Sequence, residues 1–176
     1  GLEKLALPGD QQAGVSIIRL EGAMTALTEK LALLRQMFAG FDTATFNEGV
    51  TPSLFREIGA GGLFAHRTTD IWRLCVPSSA AHEAVEKSGA EFWYADWAGG
   101  LLWLALPGDE DTATRLRSIT ARLGGHATLM RASAAARESV PVFEPEPPTR
   151  AALTRTVKAA FDPHRLFNRD RMFRTP

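Results

Sequence analysis

The stretch that decides the fold is "IWRLCVPSSAAHEAVEKSGAEFWYADWAGGLLWLALP", residues 71–107. It contains three runs of aliphatic and aromatic side chains, each closed by a proline or by glycines, which is typical of β-strands. The three predicted strands occupy residues 71–76, 90–97 and 101–107. Residues 78–89 are predicted to form a short helix with Ser78 or Ser79 as its N-cap. The glycines of residues 98–100 suit a tight hairpin between the second and third strands.

A second helix and a fourth strand follow. Asp109, Glu110 and Asp111 precede the predicted helix, where the positive end of the helix dipole favours carboxylates. This helix has one apolar stripe, which consists of Ala113, Leu116, Ile119 and Leu123. Residues 126–132 form the fourth predicted strand. The sequence from 70 to 132 therefore predicts a ferredoxin-like β-α-β-β-α-β core, in an α+β fold whose antiparallel sheet has helices mainly on one face.

Further elements are predicted on both sides of this core. Residues 15–22 are β-rich and predict an extra strand, and residues 23–39 repeat apolar side chains at helical spacing. One or two helical turns are expected within residues 53–58, and a C-terminal helix with a docking tail within residues 149–176. We predict a single domain over residues 1–176. Because the chain begins with glycine and not with methionine, we expect it to be part of a longer protein.

Composition excludes several classes of function. The chain has 20 basic and 20 acidic residues, so no surplus of positive charge attracts nucleic acid or an anionic membrane. Its single cysteine, Cys75, excludes an internal disulfide framework and a multi-cysteine metal site, and it favours a cytoplasmic setting. The sequence contains no signal-peptide pattern and no run of about 20 apolar residues of the kind that spans a membrane.

Strand alternation places large side chains on both faces of the predicted sheet. In the first strand Trp72, Leu74 and Val76 lie opposite Ile71, Arg73 and Cys75. In the second strand Trp93 and Trp97 share a face with Glu91, opposite Phe92, Tyr94 and Asp96. In the fourth strand Ala127, Leu129 and Arg131 lie opposite His126, Thr128 and Met130. A sheet covered by helices on one side normally has a polar second face. Two explanations remain open: the extra helix or a dimer covers the second face, or this face packs on a ligand or on another domain.

No complete catalytic set is recognisable in the sequence. It lacks glycine-rich phosphate loops, the HExxH metal pattern and the GxSxG nucleophile pattern, and we predict no metal site. Cys75 lies among apolar strand residues, which favours an inert core thiol. The candidate pocket residues are Arg131, Arg73, His126, Tyr94 and Trp97.

The two strand arginines have three possible environments. An unpaired buried guanidinium is costly, so Arg73 and Arg131 must reach an edge, pair with an acid such as Asp96 or Glu91, or face an anionic ligand. His126 is expected to be a hydrogen-bonded turn residue or to line a pocket.

The end of the chain resembles a known family. Residues 140–173, which finish with "FDPHRLFNRDRMF", are similar to the end of flavoproteins of the vanillyl-alcohol-oxidase type, where a final helix leads into F-D-P-x-x-I/L-F-N-P-G-R/K. Three further stretches resemble the C-terminal half of the FAD-binding subunit of bacterial glycolate oxidase. They are "LFREIGAGGLFAHRTTDIWRLCVPSS", "FWYADWAGGLLWLALP" and "GGHATLMRA". Together these similarities extend over residues 15–174.

The resemblance implies a cap domain that works with an absent FAD-binding domain. The sheet would lie over the flavin ring, and the tail would dock on the FAD domain through Phe161, Leu166 and Phe173. Asn168 and Arg171 match the family's asparagine and basic residue, which implies cofactor binding. FAD is expected in the intact protein, with none bound tightly by this chain alone.

The resemblance also implies partners and a reaction. The intact protein would belong to a complex with a catalytic flavin subunit and an iron–sulfur subunit, which oxidises a small 2-hydroxy acid, glycolate, to glyoxylate. It would be cytoplasmic, or peripheral to the inner membrane through those subunits.

Two departures from the family pattern qualify this expectation. Arg169-Asp170 replaces the family's Pro-Gly, and no Glu-His pair follows Gly124-Gly125. The second departure indicates a companion subunit and not the site of hydride abstraction, and the chain alone is expected to be inactive. The alternative is a free-standing ferredoxin-like module that binds a small molecule or dimerises, without catalysis.

Overall fold

The computed structural model describes residues 14–46, 49 and 51–168. The described residues divide into two compact units, one up to Ala65 and the other from His66 onward. The assignment of the whole chain to one domain stays a prediction. The first unit contains helix α1 (Met24–Met37), helix α2 (Thr51–Gly59) and a 3-10 turn (Gly62–Phe64).

The predicted helices of the first unit are confirmed, but its predicted strand is wrong. α1 lies within residues 23–39, and α2 buries Leu54 and Ile58 on one face. Residues 15–20 adopt no regular structure, and Ile18 is 54% exposed. A β-rich run forms a strand only where another strand accepts its backbone hydrogen bonds. All the strands of the described chain pair with one another between residues 71 and 131.

The second unit has the predicted α+β fold with an antiparallel sheet. Its elements in chain order are β1 (Ile71–Cys75), α3 (Ala81–Ser88), β2 (Trp93–Asp96), β3 (Leu101–Ala105), α4 (Glu110–Leu123), β4 (His126–Arg131), α5 (Ala134–Ser139) and α6 (Pro148–Phe161). The strands lie in the order β2-β3-β1-β4, and every neighbouring pair is antiparallel. Helix α5 is short and was not predicted.

The main core lies between the sheet and the helices α3 and α4. Its sheet side chains include Trp72, Leu74, Leu102, Leu104, Ala127 and Leu129. From α4, Ala113, Leu116 and Ile119 are buried as predicted, whereas Leu123 is only partly buried. Asp109 caps α4, because its Oδ1 accepts the Thr112 N–H at 2.7 Å.

The predicted serine cap of α3 is wrong. Residues Ser78–Ala80 form a 3-10 turn, and Ala80 occupies the N-cap position without a side-chain hydrogen bond. The turn satisfies its own backbone, since Ala80 N–H donates to the Pro77 carbonyl at 2.8 Å. A side-chain cap is therefore replaced by the tighter 3-10 hydrogen bonding.

The face of the sheet opposite α3 and α4 is partly covered. Ile71, Leu101, Trp103 and Thr128 are buried although they do not belong to the main core. No partner is present, so the chain itself covers them. These four side chains are therefore buried without a dimer partner or another domain, and for the rest of this face both explanations stay predictions. Arg73, Cys75 and Tyr94 on the same face are half-buried, and His126 is exposed.

Candidate functional site

Four side chains form a row across the second face of the sheet, one from each strand. Tyr94 is the register partner of Trp103, Trp103 of Arg73, and Arg73 of Thr128. Register partners in an antiparallel sheet point to the same face and lie side by side. We call these four residues the outer-face row. It unites a phenol, an indole, a guanidinium and a hydroxyl.

The aromatic end of the row is ordered and uncharged. The rings of Tyr94 and Trp103 are stacked, with centroids 6.0 Å apart and planes inclined by 16°. Burial raises the pKa of the Tyr94 phenol well above its ordinary value, and the nearby Asp96 carboxylate raises it further. Tyr94 therefore keeps its proton throughout the physiological pH range.

The centre of the row contains two hydrogen-bond donors without an acceptor. Arg73 Nε and Trp103 Nε1 are both buried, and neither has a hydrogen-bond partner. Trp72 on the opposite face differs, because its Nε1 donates to the Pro107 carbonyl at 3.0 Å. An unsatisfied buried donor costs about 1–3 kcal/mol, so two neighbouring ones need an explanation.

The structure excludes one of the three predicted environments of Arg73. Within the described ranges, the ion pairs do not include Arg73, and neither Asp96 nor Glu91 pairs with it. Arg73 is half-buried as a residue, so part of its guanidinium is accessible while Nε is not. Pairing with Asp96 or Glu91 is therefore wrong for Arg73, and the two other environments, an edge and an anionic ligand, stay predictions.

The other strand arginine has a structural role. Arg131 Nη2 donates to the backbone carbonyls of Arg67 at 2.7 Å and of Thr69 at 3.3 Å. These bonds tie the segment before β1 to the end of β4, where the strand register shifts next to Ile71. Arg131 thus reaches an edge of the sheet, which is one of the three predicted environments, and it lies apart from the outer-face row.

Two other candidate residues also lie outside the row. His126 is exposed at the start of β4, where it is the register partner of Cys75. Trp97 is 67% exposed in the turn after β2. In this turn Trp97, Ala98 and Gly99 all have positive φ, at 53°, 51° and 93°. The sequence predicts left-handed backbone only at the glycines, so the positive φ angles of Trp97 and Ala98 were not predicted.

Two members of the outer-face row are predicted from the sequence and two are not. Arg73 and Tyr94 were candidate residues, whereas Trp103 and Thr128 were not. Strand alternation in residues 101–107 puts Trp103 on one face with Leu101 and Ala105, but the register that places it beside Arg73 is known only from the structure. The absence of an acceptor has no signal in the sequence, since it depends on the packing around each nitrogen.

A second feature lies at the C-terminal end of the described chain. No residue of α6 is buried, although Leu153, Val157 and Phe161 form an apolar stripe at a spacing of four. Leu166 and Phe167 in the following turn are also exposed. We call these five residues the C-terminal apolar face. Thr154 and Lys158 lie beside this stripe on the same open surface of α6.

One carboxylate fixes the turn that presents this face. Asp162 is 4% exposed, and its oxygens accept the N–H groups of Leu166 at 2.8 Å and of Phe167 at 3.0 Å. Lys158 Nζ donates to Asp162 at 2.5 Å and to the Phe167 carbonyl at 2.8 Å. The hydrogen bond from Lys158, together with the two backbone N–H groups, lowers the pKa of Asp162 to about 2.

The residues that the family resemblance assigns to docking and cofactor binding are partly visible. Phe161 is 85% exposed and Leu166 is 66% exposed, so neither is anchored within this chain. Asn168 is exposed with a φ of 46°. Phe173 and Arg171 lie outside the described residues.

The part of the chain that the structure describes was predicted to hold no metal site and no membrane span. There, no group of three or more His, Cys, Asp or Glu side chains could hold a metal ion. No described helix combines the length and the apolar character that crossing a bilayer requires.

The chain was compared with protein-family models, with curated proteins and with solved structures, and none of the three searches found a match. The flavoprotein resemblance therefore stays a prediction that depends on the quoted motifs.

Proposed function

We propose that this chain is the cap part of a FAD-dependent 2-hydroxy-acid oxidoreductase subunit of the glycolate oxidase type, which takes part in the oxidation of glycolate to glyoxylate. The C-terminal apolar face would dock on a FAD-binding domain, and the sheet would cover the flavin ring. The single observation that carries the proposal is this face: five exposed apolar side chains on a helix and a turn that Asp162 holds in shape.

Exposure on this scale favours a neighbouring protein surface. Fully burying one Leu, Val or Phe side chain contributes about 1.5–3 kcal/mol, which this chain does not gain at any of the five positions. Apolar residues at i, i+4 and i+8 of an exposed helix are the pattern of a helix that lies in a groove of its partner. A turn held rigid before docking also reduces the entropy lost on binding.

The described residues fit a supporting role toward FAD. The sequence has no glycine-rich phosphate loop, so the FAD-binding domain would hold the dinucleotide. Bound FAD would supply the hydride acceptor. This chain would bind and orient the acid, exclude water, and present the accessible amide of Asn168 near the docking face. The catalytic flavin subunit and the iron–sulfur subunit remain parts of the proposal.

The direct test is to express the natural reading frame that contains these residues and to measure flavin absorbance. We expect a yellow protein whose flavin is released on denaturation. Phe161→Asp should reduce flavin retention, because it places a charge in the docking face. The matched control is Met24→Asp, which changes an exposed apolar helix residue outside this face. A folded, colourless protein would contradict the proposal.

The alternative is a free-standing module that dimerises through the same face. The exposed stripe of α6 fits such a contact, but its charges oppose it. Among residues 148–168, the basic ones are Arg150, Arg155, Lys158 and Arg165, while the acidic one, Asp162, is bound to Lys158. Two such surfaces would repel each other. We expect sedimentation at micromolar concentration to show a monomer, and a tight dimer abolished by Phe161→Asp would favour the alternative.

A further inference from the structure

We infer that the free edge of strand β2 is a docking site for an extended segment of another polypeptide, which adds a fifth strand to the sheet. The segment has two apolar residues at alternate positions and a Lys or Arg near each end. This docking does not depend on the proposed flavin-related function, because it follows from the strand edge and its charges.

The two edges of the sheet differ in their cover. β4 is covered by the chain itself, because the Leu129 N–H donates to the Val142 carbonyl at 3.0 Å and the Ala127 N–H donates to the Glu144 carboxylate at 2.8 Å. β2 forms the opposite edge, and the described sheet has no strand beyond it. An open edge presents backbone donors and acceptors to any segment that can pair with it.

The register identifies the backbone groups that face outward. The carbonyl of Phe92, which immediately precedes β2, accepts the Ala105 N–H at 3.0 Å. Hydrogen-bonded positions alternate along an antiparallel strand, so Tyr94 also bonds to β3. The N–H and C=O groups of Trp93 and Ala95 therefore point away from β3. Together they offer four backbone hydrogen bonds to a docked strand.

The side chains of the same two residues are open to solvent. Trp93 is 46% exposed and Ala95 is also exposed, although their register partners on β3, Leu104 and Leu102, are fully buried in the main core. The core helices thus cover β3 and leave β2 open on the same face. Apolar side chains opposite Trp93 and Ala95 would lie on this face and cover the exposed indole.

Charge determines the kind of segment. Residues 88–114 contain five acidic residues and no Lys, Arg or His. Two of the acids flank the outward positions, since Glu91 is exposed before β2 and Asp96 ends the strand. Arg67 also lies near this edge, but its guanidinium is stacked 3.5 Å from the centre of the Phe92 ring.

The two acids favour a basic segment over a second copy of the chain. Antiparallel pairing of two β2 strands would bring the Glu91 end of one copy to the Asp96 end of the other, so like charges would meet twice. A segment with a basic residue opposite each acid is attracted instead. Its two basic residues lie five positions apart, because one residue faces each position from Glu91 to Asp96.

The test is NMR of the 176-residue chain with the capped hexapeptide Lys-Val-Thr-Val-Thr-Lys, which has this spacing in the antiparallel direction. We expect saturable shifts of the Trp93 and Ala95 amide signals, and about tenfold slower exchange of these amides with solvent. Tyr94, which bonds to β3, and Leu129, on the covered edge, are internal references whose exchange rates should stay the same.

Variants of the peptide leave the fold of the protein unchanged. N-methylation of both valines removes the two donors that face β2, and it should abolish the shifts. N-methylation of both threonines, whose N–H groups face away from β2, should leave binding in place. Replacement of both lysines by glutamate should abolish binding, and sodium chloride should weaken the binding of the lysine peptide.

Variants of the protein test the same contacts. Glu91→Gln and Asp96→Asn should each weaken binding about 1.5- to 5-fold, the range of an exposed ion pair. Asn at position 96 keeps a side-chain oxygen for the Trp97 N–H, which Asp96 accepts at 2.7 Å. Ala95→Pro removes an outward donor at an edge, where proline is tolerated, and should abolish binding. Glu138→Gln, in α5 after the covered strand β4, is the control that should retain the Kd.

Three results would overturn this docking: no saturable shift at Trp93 and Ala95, equal binding of the glutamate peptide, or full binding of the peptide with N-methylated valines. Slow exchange of the same amides in the chain alone, increasing with protein concentration, would also overturn it, because the edge would then pair with a second copy. Flavin absorbance of the complete protein tests the proposed function separately, so either can fail without the other.

Discussion

At the residue scale, the local geometry depends on single residues, in one case on a carboxylate and in another on a glycine. Asp162 fixes the turn after α6 by accepting hydrogen bonds from two backbone N–H groups and from the Lys158 ammonium. Gly125 acts by its lack of a side chain, since a Cβ there would lie 2.0 Å from the carbonyl oxygen of Cys75. Both residues lie where one element ends and the chain must change direction.

The role of Asp162 predicts a response to acid. Its pKa is lowered to about 2, so its contribution to the turn is complete above the ordinary carboxyl pKa near 4 and is lost as pH falls through about 2. We expect the NMR amide signals of Leu166 and Phe167 to titrate with a midpoint near 2. They should not titrate in this range in Asp162→Asn. A wild-type midpoint near 4 would contradict this role.

The close approach at Gly125 predicts a large loss of stability for Gly125→Ala. The added methyl group would meet backbone atoms of Cys75, which cannot move without disturbing β1. We expect the free energy of unfolding, measured in urea, to fall by about 3 kcal/mol, the upper end for overpacking. The neighbouring Gly124→Ala is the control. It meets no atom within 4 Å and only strains a φ of 76°, which costs about 1–2 kcal/mol. Equal losses would contradict the steric account.

At the element scale, the sequence predicts an element correctly where its apolar residues are periodic and only one of its faces is exposed to solvent. α4 has a carboxylate cap, an apolar stripe and a terminal glycine, and each was readable in advance. Residues 15–22 had strand composition without a strand to pair with, and composition cannot reveal a missing partner. The outer-face row was only half predicted, because the unsatisfied state of Arg73 and Trp103 arises from packing in three dimensions.

The contrast between α4 and α6 predicts that shortening a side chain to alanine has a large effect on stability in α4 and a small one in α6. Leu116 is fully buried in α4, so Leu116→Ala should lower the free energy of unfolding by about 2–5 kcal/mol. Phe161 is 85% exposed on α6, so Phe161→Ala should change it by less than about 0.5 kcal/mol. Urea unfolding measures both. A large loss for Phe161→Ala would show that this residue packs within the chain.

At the scale of the whole molecule, charge is unevenly distributed although the total is zero. Residues 148–176 carry seven basic and two acidic residues, and residues 1–147 carry the remaining 13 basic and 18 acidic residues. The basic end coincides with the C-terminal apolar face. We therefore expect its docking to weaken with increasing salt, because surface charges are screened within about 8–10 Å at physiological ionic strength.

The central claim is that the C-terminal apolar face packs against another domain, and hydrogen–deuterium exchange tests it most directly. The measurement compares the amides of α6 in this chain with the same amides in the complete protein. The account predicts fast exchange in the chain alone, where no α6 residue is buried, and slow exchange in the complete protein. Equal exchange rates in the two proteins would contradict it.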